Sequence, residues 1–184
     1  ALGVLRPQLD LTPGVLASNL LRLPNDRIVS RSLDNRIGAV VVLEALRLLA
    51  AERPAVAVTA VATTQEEIAY TGGGARTSAT ALDALAAIVV DVTHATDSPG
   101  VERKRHGDIK LGGGPVLSRG AAVNPVVFDR LVEAAKAEGI PHAIHAAPRT
   151  TGTDADAIFT AHRGIATGLV SVPLRYMHSP SELA

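Results

Sequence analysis

The chain has 184 residues, 47% of them hydrophobic and 20% charged, which is typical of one folded domain and excludes general disorder. Eighteen basic residues balance eighteen acidic ones, and there are only two tyrosines, two phenylalanines and no tryptophan, which argues against a nucleic-acid partner. The absence of cysteine excludes disulfides and thiolate metal sites. Short apolar runs broken by charges predict neither a membrane span nor a secretory signal, so we expect a cytoplasmic protein.

The elements begin with an irregular stretch. Residues 1–30 carry scattered prolines, and the Pro-Asn-Asp run at 24–26 predicts a turn between short extended pieces. Beyond Arg36, helix-like and strand-like patterns alternate. Helices are predicted over residues 36–53, 73–85, 124–139 and 155–162, and strands over residues 55–63, 86–93, 141–146 and 166–173. Such alternation predicts an α/β sandwich around a mainly parallel sheet.

Three of these segments carry clear local signals. The first helix is predicted to be well buried and to end before Pro54, because its apolar residues recur at helical spacing. The uncharged, β-branched run at 55–63 is typical of a strand buried on both faces. Asn124 is a typical N-cap and Gly139 a typical stop for the third helix.

Acidic and imidazole side chains stand where the chain leaves or enters the predicted sheet. They are Asp34 before the first helix, Glu66 and Glu67 after strand 55–63, Asp91 in strand 86–93, and His178 after the last strand. Because chemistry collects at the carboxyl ends of parallel strands, we expect them to converge. Carboxylates and imidazole suit Zn²⁺, Co²⁺ or Mn²⁺ when cysteine is absent.

Each of these residues also has an ordinary explanation. Asp34 could be a helix N-cap, Glu66 and Glu67 a solvated surface pair, and His178 an isolated surface residue. Asp91 is harder to explain in this way, because it follows an apolar run and a buried carboxylate needs a cation or hydrogen-bond donors. Convergence at one edge of the sheet favours a shared site.

Other candidate sites are weaker. The glycine clusters at 72–74 and 112–114 do not continue into a phosphate-binding loop, and no nucleophile-elbow motif is present. The remaining histidines are interpreted as structural or solvated. They are His106, His142, His145 and His162.

Seven segments follow one another between residues 28 and 182, namely SLDNRIGAVVVLEAL, ATTQEEI, VVDVTHATDSPG, LGGGPVLSRG, GIPH, TTGTDADAI and SVPLRYMHSP. In order and spacing they resemble the motifs of the cytosolic dinuclear metallo-aminopeptidases, which include glutamyl and tetrahedral aminopeptidases. The resemblance implies a three-layer α/β sandwich with a mixed sheet, the phosphorylase/hydrolase-like catalytic domain of co-catalytic zinc peptidases. It also implies peptide substrates, two divalent metal ions per subunit, zinc or cobalt first and manganese as a further option, and a homo-oligomer ranging from dimer to dodecamer.

The resemblance assigns roles residue by residue. Asp34 would bridge both metals, Glu67 and His178 would hold one of them, and Asp91 would bind the other. Glu66 would be the general base. Asn35 stands where many relatives have a second Asp, at a position that flanks the bridging ligand without coordinating metal. His94, Asp97 and Asp154 are weaker candidates that would line the substrate cleft.

The resemblance also raises the question of completeness. Relatives carry an upstream His-x-Asp motif whose His binds the Asp91 metal, and no such motif precedes Asp91 in this sequence. Residues 1–30 would then be the tail of a small inserted β-domain, and 31–184 the main part of a catalytic domain truncated at both ends. A chain of this kind is expected to bind the second metal poorly and to have little activity. The alternative function is a catalytically inactive relative that keeps the fold and an assembly role.

Overall fold

The computed structural model describes residue 17, residues 19–68 and residues 72–184. The elements in chain order are β1 (Leu21–Leu23), β2 (Arg27–Ser30), α1 (Leu33–Glu52), α2 (Gly73–Leu82), β3 (Ala86–His94), α3 (Arg103–His106), β4 (Val116–Gly120), α4 (Pro125–Ala137), β5 (Ala143–Ala147), α5 (Ala155–Ile158), β6 (Ala166–Leu174) and β7 (Glu182–Leu183). None of the helices in these residues is long and apolar enough to cross a membrane.

The main sheet has four strands in the order β3-β6-β4-β5. Strands β3 and β6 run parallel through nine residue pairs, from Ala86 opposite Ala166 to His94 opposite Leu174. Strands β4 and β5 are also parallel, whereas β4 and β6 are antiparallel. The predicted α/β fold with a mixed sheet is therefore confirmed.

Helices cover both faces of this sheet. On one face, Gly168 of β6 lets α4 approach, because a Cβ at this position would lie only 2.6 Å from Val127 Cγ1. On the other face, Ala87 of β3 packs with Ala79 of α2 and with Ala161 and Ile165. Since Ala87 lies opposite Thr167 and not Gly168, these contacts are on opposite faces. The result is a three-layer arrangement with helices on both sides of the sheet.

A second, three-stranded sheet in the order β1-β2-β7 joins distant parts of the chain. Strands β1 and β2 form the hairpin predicted around residues 24–26, and β2 pairs with β7. Ile28 and Ala184 exchange two backbone hydrogen bonds of 3.0 Å each. Of the predicted β-domain tail at 1–30, residues 1–16 and 18 lie outside the described residues, and the boundary at residue 30 stays a prediction.

Two predictions about buried segments are wrong. The run 55–63 forms no strand, and Val56 and Val58 are 65% and 42% exposed. Helix α1 exists as predicted but is largely exposed, since only Leu33 and Gly38 in it are buried. Apolar composition shows that a segment can be buried, but burial also needs a packing neighbour. Strand β4, which follows the second glycine cluster, has no counterpart among the predicted strands.

Helix α4 shows the predicted local signals most fully. The Asn124 side chain accepts hydrogen bonds from the backbone N–H groups of Val126 and Val127, at 2.9 and 3.3 Å, and Pro125 opens the helix. Phe128 and Ala135 bury the inner face. The helix is therefore fixed at its start by its cap and along its length by packing on the sheet.

We predict that Asn124→Ala lowers the free energy of unfolding by about 1 kcal/mol, because two backbone donors at the start of α4 lose their acceptor. Asn124→Ser should restore most of this stability, since a hydroxyl oxygen can also cap a helix. Urea unfolding followed by circular dichroism measures both variants. Equal stability of Asn124→Ala and the unsubstituted chain would contradict the role of the cap.

Candidate metal centre

Asp34 lies at a kink in the first turn of α1. Asp34 has non-helical backbone angles, with φ −78° and ψ 106°, and the Asp34–Asn35 peptide is cis. The Asn35 amide donates to the Val90 carbonyl at 2.8 Å, and its side-chain oxygen accepts the Gly38 N–H at 2.9 Å. Asn35 thus connects the start of α1 to β3, which fixes the position of the carboxylate beside it.

The turn after residues 55–63 positions Glu66 and Glu67. Gln65 has a φ of 67°, which bends the chain away from the extended direction. The Gly74 N–H donates to the Thr64 carbonyl at 2.9 Å, and a Cβ at Gly74 would lie 2.7 Å from the Thr64 nitrogen. Gly74 in the first glycine cluster therefore allows the start of α2 to pack closely against this turn.

The segment after β6 positions His178. Arg175 forms an ion pair with Asp97 at 2.9 Å, with both side chains about three-quarters buried. This pair ties the segment to the loop after β3. His178 itself has a φ of 64°, in the left-handed region that non-glycine residues seldom adopt.

These three loops bring three side chains together. His178 Nε2 lies 3.1 Å from Asp34 Oδ2 and 3.3 Å from Glu67 Oε2. One ligand atom from each of the three residues lies within 4.8 Å of the other two. The Asp34 side chain is only 8% exposed, whereas those of Glu67 and His178 are 50% and 65% exposed. The cluster therefore has one buried carboxylate and an open side that faces solvent.

Three further carboxylates lie close enough to affect this cluster electrostatically. Burial, followed by the charges of Asp154, Glu67 and Asp34, raises the pKa of Glu66 to about 7. Burial likewise raises the pKa of Asp91 to about 7, with smaller contributions from Glu66, Asp34 and Asp154 and a lowering contribution from the Val92 N–H. Burial also raises the pKa of Asp154, although a hydrogen bond from Thr63 opposes the shift.

The chemistry of this donor set fits a divalent cation. Burial and then the Glu67 charge raise the pKa of Asp34 to about 6, so without a cation the cluster repels its own ionised form. Two carboxylate oxygens and an imidazole nitrogen form a ligand set that zinc, cobalt and manganese accept. Asp34, Glu67 and His178 could hold one ion. Asp91 is not part of this group, but it lies near enough for the Asp34 charge to raise its pKa.

The three weaker candidates have different surroundings. Asp154 accepts a hydrogen bond from the Thr63 hydroxyl at 2.5 Å, and its charge raises the pKa of the neighbouring Glu66. Asp97 is engaged by Arg175 and the Leu111 N–H. Burial raises its pKa, but these hydrogen bonds outweigh burial and hold the value below the usual range. Asp97 joins the loop after β3 to the segment after β6 through Arg175, and this structural role explains its position.

His94 lies beside a separate cavity of about 340 Å³, which is also lined by Glu102, Arg105 and His106. The rings of His94 and His106 meet edge to face, with centroids 5.3 Å apart. Burial, and then the charge of His106, lowers the pKa of His94. His94 thus lines this cavity and lies near enough to His178 for the charge of His178 to lower its pKa further, and its role in substrate binding stays a prediction.

Sequence reasoning missed Glu182, which is 2% exposed. Its two carboxylate oxygens accept the backbone N–H groups of Asp34 and His178, at 3.0 and 2.9 Å. A single glutamate in a polar segment carries no local signal of burial, so only the three-dimensional arrangement reveals it.

Comparisons with known proteins show the family of this chain. Residues 10–184 match the M42 glutamyl aminopeptidase family. The chain is 38% identical over 175 residues to a lysyl aminopeptidase of Pyrococcus furiosus, covering 94% of this chain and 48% of the relative.

Two solved structures are similar in fold. An aminopeptidase from the archaeon Desulfurococcus kamchatkensis matches with a TM-score of 0.77 and 33% identity, covering 92% of this chain and 48% of that one. A TET1 peptidase of Pyrococcus horikoshii, described as able to assemble into a tetrahedron or a large octahedral shell, matches with a TM-score of 0.67 and 26% identity, covering 92% and 48%. The chain thus spans about half the length of these relatives. With the match extending over nearly all of its residues, the chain belongs to the M42 glutamyl aminopeptidase family.

Proposed function

We propose that this protein is a metal-dependent aminopeptidase that removes N-terminal residues from peptides. The observation that carries the proposal is the cluster of Asp34, Glu67 and His178, with the half-buried Glu66 carboxyl next to it. Family membership supports the reaction class. The proposal concerns the whole protein, since the chain spans about half the length of its relatives.

Two divalent ions, zinc or cobalt first and manganese as a further option, are the proposed cofactors. Asp34, Glu67 and His178 would hold one ion, with an open position left for solvent or substrate. The other ion would have Asp34 and Asp91, and two carboxylates with solvent hold a transition metal weakly. We therefore propose firm binding of one ion and weak binding of the second by these residues. When bound, such ions polarise a peptide carbonyl and lower the pKa of water towards about 7.

Glu66 is the proposed general base. A carboxyl with a pKa of about 7 can take a proton from the attacking water and later return it to the leaving amine near neutral pH. Glu67 comes next in the chain, but its oxygen lies 3.3 Å from His178 Nε2, which suits a ligand. The bend at Gln65 thus supports a division of roles between adjacent glutamates.

Asp154 and His94 are the proposed contacts to substrate. Asp154 accepts a hydrogen bond from Thr63 and lies close enough to Glu66 for its charge to raise the pKa of Glu66. The negative charge of Asp154 would attract the α-ammonium group of a peptide. His94 lines the neighbouring cavity and is close enough to His178 to feel its charge. Asp97 is less suited to this role, because Arg175 already occupies its carboxylate.

We further propose that the protein forms a homo-oligomer, between a dimer and a dodecamer, in the cytoplasm. The support is the TET1 peptidase of Pyrococcus horikoshii, which can assemble into a tetrahedron or a large octahedral shell. The alternative is an inactive relative with an assembly role. Glu66 favours the enzyme, because it lies beside the cluster without being one of its three ligands, and an assembly role has no use for a carboxylate there.

The function is tested by hydrolysis of aminoacyl p-nitroanilides by the gene product that contains this chain, with zinc or cobalt added. We expect metal-dependent release of nitroaniline, inhibition by chelators, and no hydrolysis of N-acetylated substrates, which lack the free amine. A protein loaded with two ions that hydrolyses none of these substrates would favour the inactive alternative.

We predict that Glu66→Gln lowers turnover by about 10²–10⁴-fold and leaves metal content unchanged, because a general base is lost but no ligand is. Glu67→Gln should instead weaken binding of the first ion, because an anionic ligand becomes neutral. Titration with Co²⁺ and the peptidase assay compare these two matched variants. Equal loss of metal in both would show that the roles are wrongly divided.

We predict a pH-dependent gain in stability for Asp91→Asn in the metal-free protein. Asp91 has a raised pKa in the folded state, so the folded carboxyl holds its proton where the unfolded one has released it. The free energy of unfolding therefore falls as the pH rises from about 4 to about 7. The Asp91→Asn variant does not share this loss, because its side chain does not titrate. The side-chain oxygen of Asn can still accept the Val92 N–H.

The measurement is urea unfolding in chelator across this pH range, with Asp91→Asn compared with the unsubstituted chain at each pH. The difference in the free energy of unfolding between the two proteins is compared at each pH. This difference cancels the contribution of the histidines, which both proteins share. Asp129→Asn on the exposed side of α4 is the matched control. A gain from Asp91→Asn that shrinks as pH rises would contradict the expected direction.

A further inference from the structure

Glu182 connects two of the three metal ligands through their backbones. Its Oε2 accepts the Asp34 N–H at 3.0 Å and its Oε1 accepts the His178 N–H at 2.9 Å. The two ligand residues are far apart in sequence, with Asp34 148 residues from Glu182 and His178 only four. One side chain thus bonds directly to the backbones of two ligand residues that lie on separate segments of the chain.

The burial of Glu182 needs these bonds. The residue is 2% exposed, and no arginine, lysine or histidine among the described residues forms an ion pair with it. A buried carboxylate without a cationic partner is unfavourable unless its oxygens accept hydrogen bonds. Here each oxygen accepts one, and both donors are the amides of candidate metal ligands.

The backbone around Glu182 limits where its carboxylate can go. Ser30 lies opposite Glu182 in the pairing of β2 with β7, only a few residues before Asp34. Arg175 and Leu183 exchange two further backbone bonds, at 2.9 and 3.0 Å, which close the turn that contains His178. His178 is left-handed within this turn, and its N–H then points to the carboxylate. The carboxylate is therefore held from β7 and reaches both ligand loops at once.

We propose that Glu182 is a positioning residue that holds Asp34 and His178 at the separation needed to bind one divalent ion. Glu182 does not itself contact the ion, since both of its oxygens face backbone amides. The proposal rests on the proposed function only in that Asp34, Glu67 and His178 bind a divalent ion. Residues that orient metal ligands change affinity by about 10- to 100-fold when substituted.

The test is titration of the full chain and its Glu182→Gln variant with Co²⁺, reading the dissociation constant and the visible spectrum of the bound ion. The glutamine side chain has the same shape, but its amide group would face one of the two backbone N–H donors, so one bond is lost. We expect a dissociation constant raised about 10- to 100-fold and an altered cobalt spectrum. An unchanged constant and spectrum would overturn the proposal.

Two controls separate positioning from general loss of stability. Leu183→Ala shortens a partly buried side chain of β7 without removing either bond to a ligand amide, so any loss of stability should lower the melting temperature and leave the cobalt spectrum unchanged. Glu138→Gln removes a charge from the exposed end of α4 and should change neither. If Leu183→Ala alters the spectrum as much as Glu182→Gln, Glu182 acts only by stabilising β7, and the proposal fails.

Other outcomes are equally decisive. If Glu182→Gln does not fold, Glu182→Asp replaces it, because aspartate keeps the charge but is too short to reach both amides. If neither variant folds, Glu182 is an anchor of the fold and the proposal is overturned. Failure of the proposed function looks different, since the protein would then bind Co²⁺ and respond to Glu182→Gln as expected but hydrolyse no aminoacyl p-nitroanilide. A chain that binds no Co²⁺ would overturn both proposals.

Discussion

The parallel pairing of β3 with β6 is the constraint on which the site depends. Nine residue pairs place Asp91 level with Ser171 and bring the carboxyl ends of both strands to one edge of the sheet. The chain leaves β3 towards Asp97 and leaves β6 towards Arg175, and the ion pair between them keeps the two exits together. His178 comes within reach of Asp34 because both exits are fixed. Changing the register of this pair would separate the ligands even if every loop kept its shape.

Charge and burial oppose each other at this edge. Burial raises the pKa of Asp34 to about 6 and the pKa of Asp91 and Glu66 to about 7, and the neighbouring carboxylates add to each shift. A protein that crowds acidic groups loses stability when they ionise, unless a cation compensates them. The same crowding that makes the metal-free chain less stable makes an incoming divalent ion strongly attractive. Stability and metal affinity are thus two results of one arrangement.

Much of the fold could be predicted from local sequence signals. The cap at Asn124 and the β-branched strands at 86–93 and 166–173 were visible because their determinants lie within the segments themselves. The strand predicted at 55–63 failed because a strand also needs a neighbour to pair with, and a single apolar run cannot show whether one is present. The burial predicted for α1 failed for the same reason.

The candidate site could likewise be predicted where its determinants are local, and not where they depend on distant parts of the chain. Metal-binding residue types at the ends of predicted strands, together with the family motifs, named Asp34, Glu67 and His178, which the structure brings together. Their spacing, and the shifts at Glu66 and Asp91, depend on distances that no local pattern records. Glu182 could not be predicted, because its role depends on two amides on separate loops.

The pairing of β2 with β7 has a consequence for the order of folding. The bond from Asp34 to Glu182 closes a loop of 148 residues. Closing a flexible loop of that length costs about 4 kcal/mol in chain entropy, and this cost opposes the free energy gained from the contact. Such a contact forms readily only when intervening segments, β3 and β6 among them, have already drawn the ends together. We therefore expect the ligand cluster to be completed late, after the main sheet. A divalent ion in the medium would act on that last step and select the finished fold, without serving as its nucleus.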